Sequence, residues 1–351
     1  MKKLLGVLMI TIILIGIFYV TPKATATTTT LKIGSILPLN SPPTKAAEWW
    51  ANEVEKRTNG AIKFTRYWGG SLIPKAGELD SVRAGLVDVA LINTSTYADK
   101  LPILNMQFPV LFSPTEQNIM LEIYKIMLKQ PAFVNDVERY NTKLLFVTTV
   151  GSRDLQSKTP IKTVEDFKGK KLGVIGIYYP KALAAIAAVG IAMPLPDRYL
   201  SLKTGVIDAQ LLAIESAYPA KIDEVCKYCT MMGFGAELIG TYAINRDTWN
   251  KLSPDIQKIM QEAGTDAAAW NAKFVEDLRN EARQVWEKSG VTFYNFPDAE
   301  KVKWVNAMEN YPLLWVKDMD SKGFPGTELM KVFIDACKSQ GHQFPREWTL
   351  K

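Results

Sequence analysis

Between Thr27 and Trp68, apolar positions recur at every second residue, then every third or fourth, then every second again. The stretch TTTTLKIGSILP predicts a first strand. Ser41 with Pro42 and Pro43 opens a helix whose inner stripe is Ala46, Ala47, Trp50, Ala51 and Val54, and Asn59-Gly60 ends it. In AIKFTRYW, Ile62, Phe64 and Trp68 alternate with polar neighbours, which predicts a second strand. Strand, helix and strand in that order open an α/β domain.

Two distant segments echo each other. LDSVRAGLVDVALI (79–92) and YLSLKTGVIDAQLL (199–212) share serine, an aliphatic residue, a basic residue, glycine, two aliphatics and aspartate in register. Each reads as a helix stopped by Gly85 or Gly205 and followed by a buried strand carrying Asp88 or Asp208. Two similar α/β lobes explain the echo better than chance does. A third element begins at Ser253-Pro254 and stops at Gly290, with Ile256, Met260, Ala263, Ala267, Trp270, Phe274, Leu278, Ala282 and Val285 at helical spacing. A helix of about 36 residues would run ~54 Å, longer than one small lobe, so it should cross both.

Composition narrows the chemistry. The chain has 351 residues, 47% of them hydrophobic, which suits two domains. Lys2 and Lys3 precede an apolar run from Leu4 to Val20, and Ala24-Thr25-Ala26 supplies a small-residue cleavage site. Residues 1–26 therefore read as a signal peptide cut after Ala26, with a retained signal anchor as the alternative. Losing Lys2, Lys3 and Lys23 leaves 39 of the 42 basic residues against 36 acidic ones, a balance of +3 that gives no reason to expect a nucleic-acid partner. No later apolar run approaches 18 residues, so the mature chain reads as soluble.

His342 is the only histidine and reads as a solvated loop residue, which excludes paired-histidine metal sites. Cys226 and Cys229, in CKYC after the helical-looking AKIDEV, suggest structural thiols or a local disulfide rather than a redox pair. Glu215 and Asp208 could in principle serve an exported enzyme as acid and base, but no nucleophile, base and oxyanion donor stand together. No catalytic, metal or cofactor site is expected.

The order of motifs resembles the extracytoplasmic solute-binding proteins of tripartite ATP-independent periplasmic (TRAP) transporters, of the dicarboxylate-binding (DctP) type. AAEWWANEVEKRTNGAIKF is similar to that family's first helix and second strand, and GSLIPKAGELDSVRAGLVDVAL to its next loop, helix and strand. FPVLF resembles a hydrophobic segment of the first lobe, TPIKTVEDFKGKKLGV the opening of the second lobe, SLKTGVIDAQ a later helix and strand, and INRDTWNKLSPDIQKIM the start of the long helix. The match is colinear over nearly the whole mature chain.

The resemblance implies a two-lobed periplasmic-binding-protein fold, each lobe a mixed β-sheet flanked by helices, with a long helix spanning both. The expected division is 31–149 with about 239–270 in lobe 1, 150–238 with about 271–351 in lobe 2, and 254–289 as the connecting helix. It further implies a periplasmic receptor without catalytic residues, which closes on a small organic acid and hands it to membrane permease subunits. A binding protein feeding a sensory system and an exported enzyme using the same cleft are the alternatives.

In relatives an arginine in the first strand of the second lobe holds the ligand carboxylate; the matching position here is Gly173. That glycine either opens the cleft wall to a ligand or marks a tolerant strand position. The resemblance makes Arg153 the expected anion contact, with a hinge salt bridge as the other reading, and Arg153→Ala is then expected to weaken binding while leaving ligand-free stability intact. Lys181 and Arg198 are reserves on faces that read as solvated. Asn93, Trp68, Tyr178, Leu212 and Phe234 complete the expected ligand-binding set, Asn93 doubling as a turn residue and the aromatics as lobe packing. Few polar partners and several aromatics suggest a monocarboxylate with an apolar or aromatic body.

Overall fold

The computed structural model describes residues 28–351, so the expected signal peptide lies outside the described residues. The strands are β1 (Thr29–Gly34), β2 (Ile62–Tyr67), β3 (Val89–Asn93), β4 (Thr142–Val150), β5 (Asp154–Ser157), β6 (Lys171–Val174), β7 (Val189–Ala192), β8 (Ala209–Leu212), β9 (Tyr228–Met231), β10 (Glu237–Asn245) and β11 (Thr292–Asn295). They form two mixed sheets flanked by helices, in the orders β2-β1-β3-β10-β4 and β11-β9-β5-β8-β6-β7. In the first sheet β1 runs parallel to β2 and β3, while β10 is antiparallel to β3 and β4. In the second, β6 runs parallel to β7 and β8, and β5 is antiparallel to β8 and β9.

The first predicted helix spans Pro42–Arg57, and Ala46, Ala47, Trp50, Ala51 and Val54 are all fully buried. Ser41 precedes it but bonds to Pro38 O and Thr44 instead of capping a backbone N–H. The echo between the halves is structural. Asp88 accepts the Lys32 N–H at 2.7 Å and Asp208 accepts the Lys171 N–H at 2.8 Å, each holding the neighbouring strand just before its parallel pairing begins. The match extends further than the sequence reading took it: Lys32-Ile33-Gly34 and Lys171-Leu172-Gly173 occupy the same registers beside β3 and β8. A Cβ at Gly34 would lie 2.8 Å from Ile73 Cδ1, and one at Gly173 would lie 2.9 Å from Ile207 Cδ1. In both lobes a side chain at that position would have to push aside the terminal methyl of a buried isoleucine that crosses the strand.

The long helix spans Pro254–Lys288, 35 residues, with the Ser253 hydroxyl accepting the Ile256 N–H. Its buried face departs from the expected stripe. Met260, Ala263, Ala267 and Ala282 are buried, but Trp270, Phe274 and Leu278 are only half-buried and Val285 is exposed. The sheet-facing positions go to the small Gly264, Ala268, Asn271 and Ala272, while Trp270 stacks on Phe274 along the flank, 4.9 Å between ring centres. Trp50 donates to Met260 O at 3.1 Å and ties this helix to the first lobe, and Arg279 reaches β5 of the second.

β11 joins the second sheet, and Trp304 of the following helix Asp298–Ala307 donates to Ala182 O in that lobe. The last helix, Gly326–Ser339, instead packs on Gln117–Met127 beside the first sheet, so the C-terminal segment touches both lobes. His342 is not solvated: it is half-buried, its Nε2 lies 2.7 Å from Phe112 O, and its ring packs edge-on to Phe344. AKIDEV forms short 3-10 turns, not an α-helix, and Cys226, Cys229 and Cys337 are free, buried thiols. Burial pushes the Cys226 and Cys337 thiols up to about 12, which keeps them protonated and unreactive.

Candidate functional site

Two short segments cross between the sheets. β4 leaves the first sheet at Val150, and Gly151, Ser152 and Arg153 carry the chain to β5; residues 232–236 return it from β9 to β10. The second crossing is clamped to the first lobe, since Ser113 N–H donates to Phe234 O and Ala236 N–H to Pro114 O. Gly235 in it has φ +112°, and a Cβ there would meet Ser113 Oγ at 1.9 Å, so only glycine fits.

Charge is concentrated at these crossings. Arg153 is 5% exposed and forks onto Glu237 through Nε (2.8 Å) and Nη2 (2.6 Å). The Tyr179 hydroxyl donates to the same carboxylate, and the Arg153 guanidinium lies 5.2 Å from the Tyr179 ring centre. Burial alone would lower the arginine's pKa, but Glu237 and Tyr179 outweigh it and hold the cation above its usual range. Beside this cluster Gly151 N–H donates to Glu215 at 2.7 Å, and Arg279 binds Asp154, Glu215 and Ser152 O. Burial pushes Asp154 up to about 6 against the attraction of Arg279.

A cavity of about 240 Å³ opens beside the crossings. One wall follows β3 (Ser95, Ala98, Asp99, Pro102, Asn105, Phe108), and the facing wall follows β6 (Ile175, Gly176, Ile177, Tyr178, Tyr179). Trp315, Asp318, Met319, Lys322 and Phe324 close one side, and Arg153 lies within. Lys322 is matched by Asp318 at 2.7 Å, so the lining is mainly apolar and aromatic, with Asp99 and the Arg153 guanidinium, already forked onto Glu237, as its other charged groups. Such a surface strips water from an apolar ligand body and leaves polar groups to orient it.

The structure brings Arg153 and Tyr178 of the expected set into this lining and leaves the other five outside it. Asn93 ends β3 and accepts the Ser95 N–H and hydroxyl, so it builds the turn that presents Ser95 to the cavity. Trp68 lies at the edge of the first lobe and donates to Glu48 at 3.1 Å. Phe234 is buried behind the wall, 5.5 Å from the Tyr179 ring and 5.0 Å from that of Phe112. Leu212 pairs with Asp154 at the end of β8 and packs into the apolar cluster of Ile207 and Ile214. Gly173 is buried within β6, facing Ile207. Lys181 is exposed, but Arg198 is not on a solvated face: it is 1% exposed. The sequence reading missed Glu237, whose one signal was a lone acid at the head of the apolar run ELIGTYAI, and the C-terminal wall from Trp315 to Phe324, which carried none.

The family model for bacterial extracellular solute-binding proteins, family 7 (DctP), matches residues 33–315. The chain belongs to this family. The C4-dicarboxylate-binding protein DctB of Bacillus subtilis is 24% identical over 286 residues, 79% of each chain. A TRAP periplasmic solute-binding protein of Desulfovibrio salexigens, solved as an open complex, superposes with a TM-score of 0.79 at 20% identity, over 90% of this chain and 97% of that one. A TRAP solute-binding protein of Rhodoferax ferrireducens, solved with copurified benzoate, gives 0.77 at 23% identity, over 90% and 99%. The two-lobed fold with its long bridging helix is thus that of TRAP solute-binding proteins, and the family consists of binding proteins.

Proposed function

We propose that this chain is the extracytoplasmic receptor of a TRAP-type secondary transporter, exported by its N-terminal segment, and that it captures a monocarboxylate with an apolar or aromatic body for delivery to the membrane permease. The observation that carries the ligand class is the lining of the cavity: Phe108, Ile175, Ile177, Tyr178, Trp315 and Phe324 around one inner arginine. The relatives bracket the choice, one being named for C4-dicarboxylates and another holding benzoate. A dicarboxylate or sugar acid would leave its second charge or its hydroxyls unmatched here, at about 1–3 kcal/mol per buried unsatisfied group.

Thermal-shift screening with benzoate, a branched monocarboxylate, succinate and galacturonate tests the reading. Benzoate at about 100 times its Kd should stabilise the protein by ~2.7 kcal/mol. Strong stabilisation by succinate or galacturonate, with none from the aromatic and branched acids, refutes the ligand class. Delivery is tested by uptake of the bound acid in cells carrying the receptor with and without its membrane subunits.

A further inference from the structure

Arg198 sits on the helix Leu195–Thr204 with its side chain folded over the end of the second sheet. Its Nε donates to Met193 O at 3.2 Å and its Nη1 to Leu211 O at 3.1 Å. Those carbonyls lie at the carboxyl ends of β7 and β8, which flank β6, so the guanidinium bridges the end of β6. A Cβ at Gly173 would come within 3.9 Å of Arg198 Cγ. The residues that follow β6, from Ile175 to Tyr179, form the wall of the cavity. Ligands of open α/β sheets sit outside the carboxyl ends of the strands; this guanidinium lies at that end, buried behind the wall and not itself part of the cavity lining.

Its charge is unanswered. Among the described residues no carboxylate pairs with Arg198, and its Nη2 has no hydrogen-bond partner. The charged group it feels is Arg153, of the same sign, and burial together with Arg153 lowers its pKa to about 10. Arg153 differs, since Glu237 already neutralises it. A buried guanidinium without a carboxylate partner is unfavourable until an anion joins it.

We propose that Arg198 supplies the charge that holds the ligand carboxylate, delivered over Gly173 from the helix and not from β6 itself, while Arg153, committed to Glu237, positions the wall and offers at most its Nη1. This rests on the receptor reading. The arginine stem passes over Gly173 at ordinary van der Waals distance, and the room the glycine leaves is taken by Ile207.

The test compares benzoate with benzamide, its uncharged counterpart, by calorimetric titration of wild type, Arg198→Met and Arg198→Gln, with melting of each ligand-free protein. Glutamine keeps an amide donor for the strand-end carbonyls and removes only the charge. We expect wild type to favour benzoate strongly, and both variants to lose about 100-fold in benzoate affinity, two charge-assisted bonds' worth, with benzamide affinity unchanged; ligand-free Arg198→Gln should melt with or above Arg198→Met, which leaves the carbonyls of Met193 and Leu211 without that donor. Equal benzoate affinity in Arg198→Gln overturns the assignment and leaves the receptor reading standing. A parallel loss of benzoate and benzamide also overturns it, because the arginine would then be structural. If wild type binds no organic acid at all, the receptor reading fails and takes the assignment with it.

Discussion

Replacing Arg153 by methionine should destabilise the ligand-free protein, the reverse of the expectation drawn from sequence. The side chain is buried and forked onto Glu237, itself 5% exposed, so the variant strands a carboxylate away from water. Removing one partner of such a pair costs about 3–5 kcal/mol. At ~2.1 cal/mol/K per residue over some 320 residues, the unfolding entropy is about 0.7 kcal/mol/K, so melting should fall by roughly 5–7 °C. Arg153→Met combined with Glu237→Gln removes both charges and keeps an acceptor for the Tyr179 hydroxyl, so the double variant should melt above Arg153→Met alone. Scanning calorimetry of the ligand-free wild type, both single variants and the double variant closes the cycle. An Arg153→Met protein that melts with wild type, or a double variant whose losses simply add, would show that the pair does not hold the crossings together.

Two further predictions probe the glycine and a buried acid. Gly173→Ala should cost about 1–3 kcal/mol by overpacking against Ile207, and adding Ile207→Val, which deletes the clashing Cδ1, should recover most of it; urea midpoints that fail to respond to the second change would refute the packing account. Burial raises Asp136 to about 7 although Arg139 and the Leu104 N–H oppose it. Because its folded pKa lies above the ordinary value of 3.8, folding favours the protonated form, and stability should fall by about 1.4 kcal/mol per pH unit as pH rises from about 4 to 7. Asp136→Asn keeps the Leu104 hydrogen bond and should remove that slope; equal slopes in wild type and variant, from denaturation at pH 5 and pH 8, would contradict it.

Local patterns made the fold legible. The stripe of Ala46, Ala47, Trp50, Ala51 and Val54, the Ser253 cap and the paired aspartates each report a short-range requirement that a few residues can carry. The site was less legible because its properties are set by partners far apart in sequence. Arg153 is defined by Glu237, 84 positions away, and the cavity is closed by residues from Trp315 to Phe324. Arg198 looked solvated because its helix is mostly exposed, with only Arg198 and Leu202 buried. Gly173 looked like a departure at a ligand contact, yet Gly34 repeats it in the first lobe, a parallel visible in LKIG and KKLG. Packing against a crossing isoleucine explains both glycines.

Val150 and Glu237 are register partners in the antiparallel pair of β4 and β10, and both crossings start from that pair. The chain therefore leaves and re-enters the first sheet side by side, as a two-ply ribbon. A ribbon of that kind yields to bending across its width, so a swing of the lobes about it must also bend or slide the long helix Pro254–Lys288, which is held to the first lobe at Trp50 and to the second at Arg279. Arg153 and Glu237 pair across the ribbon's two plies where they pass between the sheets, so the ion pair fastens the ribbon at the place where it would flex.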